Sequence, residues 1–173
     1  MQKYLGLDIS TTMVGYALTS DDQKILNAGF VPIHKCVSLK EKAHCVLEHL
    51  VNKNIGLVTD IIIEDSLGGF QSGRTSQQTV IKLAKCNAVV SYVVGEYYNI
   101  EPTGINVSTM RKKVFGKSRE KGLDSKEFVK CNIDNMLDLS DFIHYNSKNN
   151  YDKKNYDMLD AVVASLYHWY SLK

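Results

Sequence analysis

Asp60-Ile61-Ile62-Ile63-Glu64 closes a short, continuous apolar run over residues 57–63 and leaves an acid at its tip. A run this short and this apolar fits a strand buried on both faces, as in a sheet flanked by helices. An acid at the end of such a strand is costly unless it is paired or bound to a metal. The chain opens in the same way, because Tyr4-Leu5-Gly6-Leu7-Asp8 is also an apolar run ending in a carboxylate. Two more acids, Asp157 and Asp160, stand three apart near the start of the last helical stretch and therefore share one helix face.

Outward from these runs the pattern is α/β. Residues 3–9 read as a strand entering a turn at Ser10-Thr11-Thr12, and residues 13–19 as its hairpin partner. Asp21-Asp22 marks a turn before a third strand over 24–31. Ser38, with Glu41 three residues later, caps a helix over 38–53 whose apolar face is Ala43, Val46, Leu47 and Leu50. After the strand at 57–63 comes a Gly-rich loop, Gly68 to Gly73, then a helix from Ser76 to Tyr98 that is apolar around much of its circumference. Such a helix is either fully buried or shared with a partner. Pro102 and Gly104 break the chain before a last short strand, Ile105-Asn106-Val107. Helices follow over 108–115 and 125–137, then an Asn- and Lys-rich loop over 144–155, then a final helix from Tyr156. The order predicts a mixed five-stranded sheet flanked by helices, in one domain over residues 1–173.

With 44% hydrophobic residues the chain can bury a sizeable core. No apolar stretch reaches the roughly 18 residues of a membrane span. The opening residues lack the long apolar region of a signal peptide, so the expectation is a soluble, intracellular, cytoplasmic protein with no membrane partner. Cys36, Cys45, Cys86 and Cys131 are widely spaced and form no Cys-x-x-Cys pair, which argues against zinc and for buried free thiols. Net charge is only +2, yet Arg111 to Lys130 holds eight basic against three acidic residues, +5, leaving −3 for the rest. Cations that hold a phosphate backbone beside acids that hold metals are what a phosphate-cutting site needs. Oxygen-only ligand sets suit Mg²⁺ or Mn²⁺. The four acids therefore point to metal-assisted phosphodiester hydrolysis.

Each candidate has a plainer role to set beside that one. Asp8 suits a turn acceptor, and Asp157 suits the first turn of a helix. Asp60 lies at the far end of its strand, and alternation points Asp65 away from Glu64, so both read as structural. His144 and His168 read as ordinary surface histidines. Ser10, Thr11 and Thr12 read as turn formers. Phe70 is either a loop anchor or an exposed aromatic able to stack on or wedge between bases.

Together the motifs resemble the RuvC-type Holliday junction resolvases of the ribonuclease H-like superfamily, over nearly the whole chain. The matching segments are Gly6-Leu7-Asp8, Ile62-Ile63-Glu64, Asp157-x-x-Asp160-Ala161, and the basic stretch Val107 to Gly116 followed by Asp124-Ser125-Lys126. Two departures stand out: Asp8-Ile9-Ser10-Thr11-Thr12 replaces the family's Asp-Pro-Gly, and the loop from Gly116 to Lys126 is longer than usual. The resemblance implies a ribonuclease H-like fold and a homodimer that nicks symmetry-related strands of four-way junction DNA. It implies two Mg²⁺ ions, replaceable by Mn²⁺, held by Asp8, Glu64, Asp157 and Asp160, with Asp8 bridging. Arg111 and Lys126 match the family's catalytically important basic residues. The implied DNA contacts are Leu67, Phe70, Arg74, Arg111, Lys112, Lys113, Lys117, Arg119, Lys121 and Lys126. The wedge between bases falls on Leu67 by spacing and on Phe70 by chemistry. The helix over 76–98 is the expected dimer interface, with Val90 as an outward position on it. Rival readings are a ribonuclease H-like nuclease acting on RNA–DNA hybrids or flaps, and a non-catalytic junction-binding protein. A sugar-kinase-like phosphotransferase shares the opening turn but needs two such domains.

Overall fold

Strand alternation divides the molecule into two cores. The computed structural model of the chain describes residues 1–65 and 76–171. Strands β1 (Lys3–Ile9), β2 (Met13–Ser20) and β3 (Ile25–Pro32) form an antiparallel meander. Helix α1 (Leu39–Asn52) leads to β4 (Asp60–Glu64), which lies parallel to β1, and α2 (Gln77–Tyr98) leads to β5 (Thr103–Ile105), parallel to β4. Helices α3 (Val107–Phe115), α4 (Ser125–Met136) and α5 (Asn155–Ser171) complete the chain. The sheet order is β3-β2-β1-β4-β5, the mixed five-stranded arrangement that the sequence predicts.

Side chains of successive strand residues point to opposite faces. Leu5, Leu7, Ile9, Val14, Tyr16, Ile61 and Ile63 pack with Ala43, Val46 and Leu50 of α1 and Cys86, Val90 and Val94 of α2. On the other face Ala17, Ala28 and Ile62 meet Met110 and Val114 of α3, Phe128 and Ile133 of α4, and the apolar side of α5. Helix α5 lies directly on β1 and β2 because those strands carry glycine where it crosses. A Cβ at Gly6 would fall 2.1 Å from the Ala161 carbonyl oxygen, and one at Gly15 would fall 2.0 Å from that of Asp157. Thr19 adds a hydrogen bond from its hydroxyl to the Ser165 carbonyl, 3.2 Å.

Local signals account for most boundaries. The Ser38–Glu41 capping box forms at the start of α1 as predicted. The hairpin turn is built by Ser10, whose Oγ accepts from the Met13 amide at 2.9 Å. Three boundaries or orientations differ from expectation. The mid-chain strand starts at Asp60 rather than 57, because Leu57 stands exposed and the chain joins the sheet only where the Thr59 amide meets the Lys3 carbonyl, 2.7 Å. The last strand is 103–105 rather than 105–107, because the Asn106 side chain accepts from the Ser108 amide and turns Val107 into the first residue of α3. Val90 is not an outward residue of α2 but is fully buried in the monomer, whereas Ile81 and Tyr92 are 52% and 66% exposed. Of the four cysteines, all free, only Cys86 is fully buried and Cys131 is exposed, so the expectation of buried thiols holds for one position. Among the described residues no helix is long and apolar enough to cross a membrane.

The close seat of α5 makes a stability prediction. Gly6→Ala should destabilise the fold by about 3 kcal/mol, the upper range for overpacking, because the obstacle is backbone and cannot rotate away. Equilibrium denaturation measures this; a loss below the usual surface-mutation range would show that α5 can shift at little cost.

Candidate active site

Asp8 and Glu64 come together because β1 and β4 are adjacent and parallel. Leu7 is in register with Ile63, so the next residues of both strands emerge side by side at the carboxyl end of the sheet. Both acids fall on the even-numbered face, with Gly6 and Ile62, the face that α5 covers. Gly15 is the β2 partner of Asp8, and the missing side chain there admits the first turn of α5. The start of α5 is also clamped. Asn155, fully buried, accepts from the His144 amide at 3.0 Å and donates to the His144 carbonyl at 2.7 Å.

One ligand oxygen from each of Asp8, Glu64 and Asp160 lies within 4.8 Å of the others. Asp157 is outside this tight trio, though its charge acts on both Asp8 and Glu64. Burial pushes the Asp8 carboxyl well above the usual carboxylate range, and the charges of Glu64, Asp160 and Asp157 push it further. Loss of water, then Asp160, raises Glu64 to about 7 against the opposing pull of Arg111. Asp157 and Asp160 are raised by burial as well, with Lys126 pulling both down and Arg111 acting most strongly on Asp160. Like charges this close cannot all ionise without a counter-charge. An all-oxygen donor set so placed fits a hard divalent cation, whose binding would replace the protons.

The basic side of the site divides into an inner and an outer part. Arg111 on α3 is inner: its Nη2 donates to Asp160 Oδ1 at 2.8 Å and its Nη1 to Ser125 Oγ at 2.7 Å. Its buried Nε has no hydrogen-bond partner among the described residues. Lys126, in the first turn of α4, is close enough to lower Asp8, Asp157 and Asp160, and its ammonium lies 5.2 Å from the centre of the Tyr156 ring. Lys112, Lys113, Lys117, Arg119 and Lys121 are outer, exposed on α3 and the following loop, with Lys117 paired to Glu120 at 2.7 Å. Leu67, Phe70 and Arg74 lie outside the described residues.

Several neighbours of the site have no sequence signature of their own. Asn87 of α2 donates to the Glu64 carbonyl at 3.1 Å and so ties that helix to the end of β4; its only trace in sequence is an amide inside the apolar part of the helix. Tyr156, adjacent to Asp157, donates to Glu127 and links α5 to α4 beside Lys126. Ser125 orients Arg111. The acids read as structural are so placed: Asp60 pairs with His168 at 2.6 Å, at the opposite end of β4, and the His168 ring stacks on Tyr4. The Asp65 amide donates to the Ile105 carbonyl at 2.8 Å, holding β4 to β5. His168 is thus a tethered residue rather than an ordinary surface one, and His144 packs its ring edge against Phe30.

Two acid-tipped parallel strands beside an antiparallel meander, crossed by a helix bearing the remaining acids, define a ribonuclease H-like fold. Solved structures of similar fold include Holliday junction resolvases. RuvC of Thermus thermophilus in complex with a Holliday junction substrate superposes with a TM-score of 0.66 at 14% identity, covering 99% of this chain and 95% of that one. The yeast mitochondrial Holliday junction resolvase Ydc2 gives 0.63 at 15% identity, covering 98% and 79%. Fowlpox virus resolvase with its Holliday junction DNA gives 0.51 at 16%, covering 99% of both chains. No family model matches the sequence, and no curated protein matches it. The likeness is therefore one of fold.

The raised carboxyls set a pH dependence. In the metal-free protein Glu64 titrates near 7, above its ordinary 4.5. The stability associated with its protonated form is fully present below about 4.5 and is lost as pH rises through about 7. Thermal unfolding of metal-free protein should therefore occur at lower temperature at pH 8 than at pH 5.5. Added Mg²⁺ or Mn²⁺ should restore most of the difference at pH 8, and Glu64→Gln should reduce the pH dependence, leaving the share of the other raised acids. A melting temperature that rises across this interval without metal would contradict the assignment.

Proposed function

We propose that this protein is a structure-selective endonuclease that resolves four-way DNA junctions by paired nicking of symmetry-related strands. The observation that carries the reading is the convergence of Asp8, Glu64 and Asp160 on one point at the strand ends. It is supported by the full-length likeness of fold to proteins solved with Holliday junction DNA. Divalent ions, two per site and Mg²⁺ by preference, would be held by Asp8, Glu64 and Asp160, with Asp157 completing the set. When bound they supply an activated water and stabilise the leaving 3′ oxygen.

The chain's own side chains do the rest. Arg111, anchored by Ser125, offsets part of the burial cost of the Asp160 carboxylate and places a fixed positive charge beside the scissile phosphate. Lys126, against the Tyr156 ring, meets negative charge as it builds on that phosphate. Lys112, Lys113, Lys117, Arg119 and Lys121 hold the backbone away from the chemistry, a role that gives affinity without sequence preference.

A two-fold substrate calls for a two-fold enzyme. The homodimer of this reading pairs through the carboxyl-terminal half of α2, whose inward side is filled by Val90 and Val94 and whose outward side presents Ala88 and Tyr92. Around Tyr92 the surface is concave, with Ala88 and Ser91 leaving room for a knob from a second helix.

Two experiments test the proposal. Asp8→Asn, Glu64→Gln, Asp157→Asn and Asp160→Asn should each lower cleavage of a synthetic four-way junction by about 10²–10³-fold or more, the lower figure being what loss of one preorganised electrostatic group costs, while junction binding persists. The same substrate beside an RNA–DNA hybrid and a flap gives the selectivity; preferential cutting of the hybrid or flap would replace the junction reading. For assembly, Tyr92→Glu should yield monomers by light scattering and abolish paired nicking, whereas a charge at Val90 should unfold the domain instead. A single-chain mass for the unaltered protein, with paired nicking intact, would remove the α2 dimer.

A further inference from the structure

We infer that the hollow between the amino-terminal halves of α1 and α2 is a second phosphate subsite, formed by Lys42, Lys82 and Lys85, that takes the DNA backbone on the side of the sheet away from Arg111 and Lys126. The inference rests on the junction-cutting reading and names a surface which that reading leaves unused.

The hollow has a volume of about 220 Å³ and is lined by these three lysines with Thr11, Leu39 and Cys86. The Lys42 ammonium is held by the Thr11 carbonyl. Among the described residues none of the three lysines has an ion-pair partner, and the first turn of α2 contains no acid. Lys82 and Lys85 stand one turn apart on the same helix, where like charges destabilise, and Lys42 adds a third cation to the same hollow. Such a cluster lowers the stability of the free protein and is relieved by an anion.

Its place in the fold selects the anion. Cys86, in the wall of the hollow, donates from Sγ to the Ser10 carbonyl at 3.6 Å, two residues beyond Asp8. The next residue, Asn87, donates to the Glu64 carbonyl. The hollow therefore backs onto the ends of both acid-bearing strands, separated from the acids by the Ser10–Thr12 turn. The acids thus have cations on both sides: Arg111 and Lys126 on the α5 face, the lysine hollow on the α1–α2 face. A nucleic-acid strand crossing the end of the sheet meets cations before and after the acid cluster. Size points the same way, since small-molecule pockets usually exceed about 300 Å³, so the hollow suits a backbone phosphate with its water rather than a whole nucleotide.

Salt dependence of binding tests this directly. The slope of log affinity against log salt for a four-way junction falls by about 0.9 for each lysine–phosphate contact removed per bound chain. Lys82→Gln/Lys85→Gln should therefore show a shallower slope than the unaltered protein, in addition to the slope lost in Lys112→Ala/Lys113→Ala/Lys117→Ala. The single variants Lys82→Gln and Lys85→Gln should each give part of the change, so a folding defect in the double variant leaves the test intact. Lys82→Arg/Lys85→Arg should keep the original slope. If the unaltered protein neither binds nor cuts junctions, the functional reading and the subsite fall together. If it binds and cuts them while the Gln variants keep the full slope, the subsite alone is overturned.

Discussion

The closeness of α5 to the sheet is the constraint on which the site depends. A helix normally stands off a sheet by the depth of its side chains and theirs. Here Gly6 and Gly15 remove the side chains on one surface, and Ala161, Ala164 and Ser165 keep them small on the other. The backbone of α5 descends until carbonyl oxygens fill the space of a Cβ. Only at that depth do carboxylates from a helix reach those from strand ends. Gly15 faces Asp8 across the hairpin, so the vacancy that admits α5 lies beside the acid that α5 must approach.

Such proximity has an electrostatic cost that other side chains control. Withdrawal from water raises all four acids, neighbouring acids raise Asp8, Glu64 and Asp157 further, and the chain offsets only part of this with Arg111 and Lys126. With all four ionised the balance would be negative, so a bound cation would favour the ionised forms. Arg111 is itself restrained by Ser125 and Asp160, so its charge is fixed rather than mobile. A preorganised charge of this kind does not have to reorient as the reaction proceeds. The polar links from Asn87 to Glu64 and from Asn155 to His144 do mechanical work beside it, fixing a strand end and a helix start.

Much of this was legible in the sequence because strand and helix periods are short-range. Short continuous apolar runs placed Asp8 and Glu64 at strand tips, and a spacing of three put Asp157 and Asp160 on one helix face. The capping box at Ser38 and Glu41 marked α1 correctly. The misplaced last strand has a local cause, since Asn106 is a helix cap and β-branched Val107 follows it into α3. The orientation of α2 had no such local cause. A helix apolar on most sides does not declare which side meets the core, and Val90 proved buried where Tyr92 is exposed.

The sequence by itself determined the element order, the sheet class and the four acids, because apolar runs, caps and residue spacing act within a few residues. Tertiary structure alone decided that Asp160 joins Asp8 and Glu64 while Asp157 stands slightly apart. It also decided that Arg111 pairs with Asp160, and that Lys42 meets Lys82 and Lys85 in a hollow behind the strand ends. These contacts join residues tens of positions apart, and their distances follow from how far a helix can sink onto a sheet, which sequence spacing does not encode.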